Sequence, residues 1–124
     1  ILSKKSFVDL MLDLAEKNDT IRAVNDEINS LTYSVDLAEQ IKLVVNQTQP
    51  FGIYHITNSG QASWYEFANE IFIIKGSKVA LLPVSSKEFQ RAAIRPQKAV
   101  LKNTKLPALR PWQEALSEYL KSLI

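Results

Sequence analysis

Residues 51–76 read Phe51-Gly52-Ile53-Tyr54-His55-Ile56-Thr57-Asn58-Ser59-Gly60-Gln61-Ala62-Ser63-Trp64-Tyr65-Glu66-Phe67-Ala68-Asn69-Glu70-Ile71-Phe72-Ile73-Ile74-Lys75-Gly76. The first six residues are largely apolar on both sides, which predicts a strand internal to a sheet. Residues 57–60 supply turn chemistry. Ser63 followed three residues later by Glu66 has the form of a capping box, and it opens a helix that runs to Lys75. Trp64, Phe67, Ala68, Ile71 and Phe72 repeat at helical spacing as its buried face, and Gly76 is the expected C′ residue. A strand feeding a capped helix is the unit from which α/β domains are built.

The flanking sequence continues the alternation. Upstream, Ser6 with Asp9 predicts a capped helix over about 6–17, with Phe7, Leu10, Met11 and Leu14 facing inward. Residues 20–24 predict a short strand, and 25–29 a polar turn. A second helix covers 34–46, with Val35, Leu37, Ala38, Ile41, Val44 and Val45 as a broad apolar face. Downstream, 78–82 predict a strand, and Ser85 with Glu88 caps a short helix around 87–90. Residues 91–109 have no clean period, and Pro96 and Pro107 punctuate them. Pro111 opens a last helix over 112–123, with Trp112, Leu116, Tyr119, Leu120 and Leu123 inward. The expected fold is a small mixed α/β domain containing a parallel pair, with 1–124 as a single domain or fragment.

Composition narrows the function classes. The chain has 124 residues, an apolar fraction of 46% and a net charge of +2, without a long basic run, so nucleic acid is not the expected partner. It has no Cys and one His, which excludes a disulfide scaffold and a Cys-ligated or His-rich metal site. The longest apolar run, near 71–74, is too short to span a bilayer. The chain begins Ile1-Leu2-Ser3-Lys4-Lys5, as an excised fragment, a domain or a processed chain would, and no signal peptide is visible. A soluble, cytoplasmic piece is the expectation.

Few residues offer chemistry. Tyr54 and His55 fall on opposite faces of the expected strand, so they make no acid/base pair, and His55 reads as a structural histidine. The carboxylate pairs Asp36/Glu39 and Glu66/Glu70 suit the positive ends of helices as well as they suit catalysis. The tract 91–98 carries Arg91, Arg95 and Lys98, and Pro96 disfavours helix at Arg95. An Arg in an extended loop presents a planar fork to phosphate or carboxylate, though from composition alone a solvated basic loop is the plainer reading. Neither GxGxxG nor GxxxxGK occurs, and no Tyr is followed four residues later by Lys.

Three stretches, in order, carry a resemblance: Phe7 to Ala15 with Val24-Asn25-Asp26-Glu27-Ile28-Asn29-Ser30-Leu31-Thr32-Tyr33; Gly52 to Gly60 with Ser63 to Ala68; and Arg95-Pro96 with Leu109-Arg110-Pro111-Trp112. Together they resemble the C-terminal part of dTDP-4-dehydrorhamnose reductases, of the extended short-chain dehydrogenase type. The resemblance runs from Phe7 to the end of the chain. It implies the substrate-binding portion of an extended Rossmann-type reductase that lacks its N-terminal dinucleotide-binding half. The parent would convert dTDP-4-dehydro-6-deoxy-L-mannose to dTDP-L-rhamnose with NADPH (or NADH), through catalytic residues outside this chain, and this chain alone would bind no cofactor and be inactive.

By the same resemblance, Arg95 contacts the nucleotide diphosphate, and Asp26, Glu27, Ser30, Thr32 and Asn58 line the substrate cleft. The implied partners are a dTDP-sugar and the missing N-terminal half, with a homodimer as a further expectation and neither nucleic acid nor membrane. Two positions depart from the family's usual pattern. Asn29-Ser30-Leu31-Thr32 stands where Gly-Ser-Pro-Thr is common, and Glu27 stands where Gln is common. A carboxylate facing a diphosphate would be unfavourable, and the alternative reading is a non-catalytic regulatory or protein-interaction domain on the same fold.

Overall fold

The computed structural model describes residues 4–89 and 91–123. The chain forms two compact units, each assembled from separate stretches: residues 4–28 with 63–97, and 29–62 with 98–123. The chain changes unit in or beside two-residue strands, β2 (Ile28–Asn29), β3 (Ala62–Ser63) and β5 (Lys98–Ala99).

The first unit is built on a parallel pair, β1 (Thr20–Val24) and β4 (Ala80–Val84), in the register Thr20 to Ala80 through Val24 to Val84. Pro83, which has no N–H to donate, is tolerated because among the described residues this pair has no third strand beyond it. Helix α3 (Trp64–Lys75) packs across both strands, and α1 (Phe7–Lys17) packs on α3 and β1. Both helices begin with the expected capping boxes, Ser6 with Asp9 and Ser63 with Glu66, and α3 ends at Gly76 in the left-handed conformation. Val8, Met11, Ile21, Ala23, Val24, Ala68, Ile71, Phe72 and Val84 form the core. The Phe7 ring lies 4.8 Å from Trp64 and 5.4 Å from Phe67 and seals one side. Leu10, expected inward, is exposed, and Val8 takes its place. A 3-10 turn, η1 (Ser86–Glu88), replaces the short helix expected around 87–90, capped by Ser85 and Glu88 as foreseen. Gln90 lies outside the described residues, as do residues 1–3.

The second unit holds α2 (Ser34–Asn46) and α4 (Trp112–Ser122). Its buried apolar residues are Ala62, Trp112, Ala115, Leu116 and Leu120, with Leu123 exposed rather than inward. Two expectations fail here. Residues 51–56 belong to no strand, because no backbone–backbone hydrogen bond among the described residues takes up their amides or carbonyls. Helix α2 buries Asp36 and Gln40, while Val35, Ala38, Ile41 and Val45 face outward. The polar side turns inward because it meets polar partners, described below. Among the described residues no helix is long and apolar enough to cross a membrane.

Candidate functional site

In the second unit the chain around Asn58 organises a buried polar network. Residues 57–60 form the turn before β3, and the Asn58 side chain is 2% exposed. Its Oδ1 accepts the Tyr33 N–H at 2.8 Å, and its Nδ2 donates to Asp36 Oδ2 at 2.6 Å and to the Arg110 carbonyl at 3.2 Å. Arg110 in turn grips Asp36 as a fork, Nε to Oδ2 at 2.9 Å and Nη2 to Oδ1 at 2.7 Å. Its remaining amino group reaches Glu118 on α4 at 2.5 Å. The Arg110 guanidinium holds the Asp36 carboxyl below the usual carboxylate range, with Asn58 adding to the effect, and it lowers Glu118 as well. Both carboxylates raise Arg110 above its ordinary value.

Backbone contacts lock the same turn to the start of α4. Ser59 N–H donates to the Arg110 carbonyl at 3.1 Å, and Trp112 N–H to the Ser59 carbonyl at 3.1 Å. Gly60 is required here. Its φ is +94°, and a Cβ would meet the Trp112 ring at 3.1 Å.

Two cavities flank this network. The larger, about 400 Å³, is bordered by Asp36, Glu39, Gln40, Arg110 and Glu118. Three carboxylates against one guanidinium, itself already paired, give it negative character that disfavours a diphosphate. The smaller, about 170 Å³, is bordered by Thr57, Asn58, Ser59, Gly60, Asn103 and Leu109.

In the first unit the expected basic tract is partly neutralised. Asp26, just past the end of β1, accepts the Ser86 N–H at 2.8 Å and the hydroxyls of Ser86 and Ser85 at 3.0 and 3.2 Å. The Ser86 N–H leads in lowering its carboxyl below the usual range. Glu27 is 3% exposed and ion-paired with Arg91. Arg91 and Arg22 lie 5.9 and 5.6 Å from the Phe89 ring centroid. These contacts staple 85–91 to the end of β1. Arg95, four residues further on, is exposed and has no hydrogen bond or ion pair among the described residues.

The expected site residues therefore divide. Asp26, Glu27 and Arg95 belong to the first unit, and the two carboxylates serve the chain's own 85–91 segment. Ser30, Thr32 and Asn58 belong to the second. There the Ser30 hydroxyl accepts the Leu101 N–H at 2.9 Å, Asn58 is spent on the buried network, and Thr32 is exposed. Asp36 and Arg110 were not foreseen as a unit, since 74 positions separate them and no local pattern links them. The only signal was Asp36 itself, a carboxylate in the first turn of a helix that reads equally well as a dipole partner.

A parallel pair covered by helices and, in the second unit, a buried Asn–Asp–Arg network make up a small mixed α/β fold. It matches a dTDP-4-dehydrorhamnose reductase structure from Clostridium acetobutylicum with a TM-score of 0.91 and 36% identity, covering 98% of this chain and 45% of that one. It matches the Bacillus anthracis enzyme, solved in complex with NADP, with a TM-score of 0.88 and 32% identity, over 99% of this chain and 45% of that one. The spore coat polysaccharide biosynthesis protein SpsK of Bacillus subtilis is 45% identical over 121 residues, 94% of this chain and 42% of SpsK. The profile of the RmlD substrate binding domain matches residues 2–124, and the chain belongs to that family. It spans about two-fifths of the length of the curated relatives it matches.

One of these neighbours holds NADP. The three glycines of this chain, at 52, 60 and 76, stand too far apart to form the GxGxxG loop that cradles a dinucleotide. No cofactor step is assigned to this chain.

Proposed function

We propose that this chain is the substrate-holding part of an NADPH-dependent dTDP-4-dehydrorhamnose reductase, with the hydride and proton chemistry carried by residues outside it. The observation that carries this reading is the family match over 2–124, by a chain that spans only about two-fifths of its reductase relatives. The geometry supports a division of labour. Arg95 is the group free to bind the diphosphate, since its neighbour Arg91 is committed to Glu27. Asp26 and Glu27 contribute by holding Ser85, Ser86 and Arg91, upstream of Arg95 in the same unit. In the second unit Ser30 and Asn58 hold the chain on either side of the exposed Thr32. Glu27, the departure that favoured a regulatory reading, has a partner of its own in Arg91 and so need not oppose a phosphate. We place the protein in the cytoplasm.

The test is a titration of the chain with dTDP, followed by amide chemical shifts and by calorimetry. Shifts centred on 91–98, with affinity reduced about tenfold or more in Arg95→Ala, are expected, in line with loss of a charge-assisted hydrogen bond. Equal binding by parent and variant would remove Arg95 from the site, and no response to dTDP by either would sink the substrate reading. The chain alone is expected not to consume NADPH in the presence of the 4-keto sugar nucleotide.

A further inference from the structure

Three consecutive residues after β1 hold three successive points of the chain that follows β4. Asp26 takes Ser85 and Ser86, Glu27 takes Arg91, and the Ile28 N–H donates to the Gln97 carbonyl at 2.8 Å. The two ends of the span 91–97 are thereby fixed at neighbouring residues. Between those ends, residues 92–96 are exposed, Ile94 fully so, and among the described residues they make no backbone–backbone hydrogen bond. The arrangement of this loop is therefore set from its ends. On the downstream side Pro96 fixes its own backbone and disfavours helical geometry at Arg95.

The upstream side depends on Arg91. Its guanidinium donates to Glu27 at 2.5 Å, and the Glu27 side chain is only 4% exposed, so the carboxylate has little water to turn to if Arg91 leaves. Arg91 also lies against the Phe89 ring, which Arg22 of β1 approaches in turn. A buried ion pair is a weak source of stability, because desolvation of the two charges offsets much of their attraction. What it does supply here is a fixed point at the start of the loop. We propose that Glu27 and Arg91 are positioning residues, and that their ion pair, backed by Phe89, braces the 91–97 loop so that Arg95 is presented to a nucleotide diphosphate in one arrangement. The proposal rests on the reading of Arg95 as the diphosphate contact, and it gives Glu27 and Arg91 no contact with the ligand. Without the brace the upstream hold moves back to η1 and Phe89. Each doubling of a free span lowers the share of one closed arrangement by about threefold.

The test uses Glu27→Gln and the pair Glu27→Gln/Arg91→Ala, which removes one charge of each sign and keeps the net charge of the parent. Nitrogen-15 relaxation of the 124-residue chain reads the brace without any ligand. Residues 92–95 are expected at backbone order parameters of about 0.8 in the parent and below about 0.6 in both variants, with β1 and β4 unchanged. Titration with dTDP then reads the presentation of Arg95. Both variants are expected to bind about two- to threefold more weakly, and the pair to cost nothing further in an Arg95→Ala background. The sign separates positioning from simple electrostatics, because Glu27→Gln removes a negative charge and by that alone favours an anion. Unchanged order at 92–95 overturns the proposal. So does tighter dTDP binding by Glu27→Gln, which would mean that Glu27 withholds Arg91 from the ligand. An equal loss in the Arg95→Ala background overturns it too, since the pair would then act independently of Arg95. A parent that gives no response to dTDP sinks the diphosphate reading, and the relaxation result then decides the brace by itself.

Discussion

Asn58 uses its whole amide inside the second unit, accepting one hydrogen bond from a backbone N–H and donating two. Replacing it with Ala leaves the part-buried Tyr33 N–H without its acceptor and removes a donor from the buried Asp36. Asn58→Ala is expected to cost about 2–3 kcal/mol, read by urea unfolding. Asp36 gives a pH signature. Its carboxyl lies below its ordinary value in the folded chain because Arg110 holds the charged form. Its contribution is therefore fully present above the ordinary carboxylate range and is lost as pH falls below about 4. Asp36→Asn is expected to be less stable than the parent at pH 7, with the gap narrowing at pH 3. A gap that stays constant with pH would mean that Asp36 is not held charged by Arg110. None of this was legible in the sequence. A carboxylate in the first turn of a helix, an Arg before a proline and an Asn in a turn each have an ordinary local explanation, and only the fold brings them within 3 Å.

At the level of elements, local chemistry was a good guide wherever a signal is contained within a few residues. The capping boxes at Ser6 and Ser63 and the Gly76 terminus are such signals, because cap and helix end lie within one turn of each other. Ser63→Ala is expected to cost about 1 kcal/mol, measured by thermal unfolding. Ile71, fully buried where α3 crosses β1 and β4, is a stronger test of that packing. Ile71→Ala is expected to cost about 3 kcal/mol through lost burial and the cavity left behind. Helix α2 shows the limit of the same reasoning. Its extent of 34–46 followed from periodicity, but periodicity reports that a stripe exists and not which side the rest of the molecule covers. The strand expected at 51–56 failed for a related reason: pleated alternation is a property of one chain segment, whereas a strand is a property of two.

Taken whole, the molecule folds as two units built from interleaved stretches, with the chain changing unit at 28/29, 62/63 and 97/98. Such interleaving ties the stability of each unit to chain passing through the other. Gly60→Ala, which would press a Cβ on Trp112 at a backbone angle suited to glycine, is expected to destabilise by more than about 1 kcal/mol. That loss should register in the melting of the entire chain and not only in probes near Trp112. The expected site residues are divided in the same way, Asp26, Glu27 and Arg95 in one unit and Ser30, Thr32 and Asn58 in the other.

The sequence by itself determined the mixed α/β class, the helices and their caps, the parallel pair and, through three ordered stretches, the family. Those features depend on residue order and short-range geometry, which a sequence states directly. Only the tertiary structure decided that Glu27 is answered by Arg91, that Asp36 is held by Arg110 and Asn58, that Arg95 stays unpaired among the described residues, and that the apolar side of α2 faces out. Each of these depends on which distant groups arrive at the same place, and that is set by packing, where burying a charge demands a partner and leaving an apolar stripe in water calls for a cover.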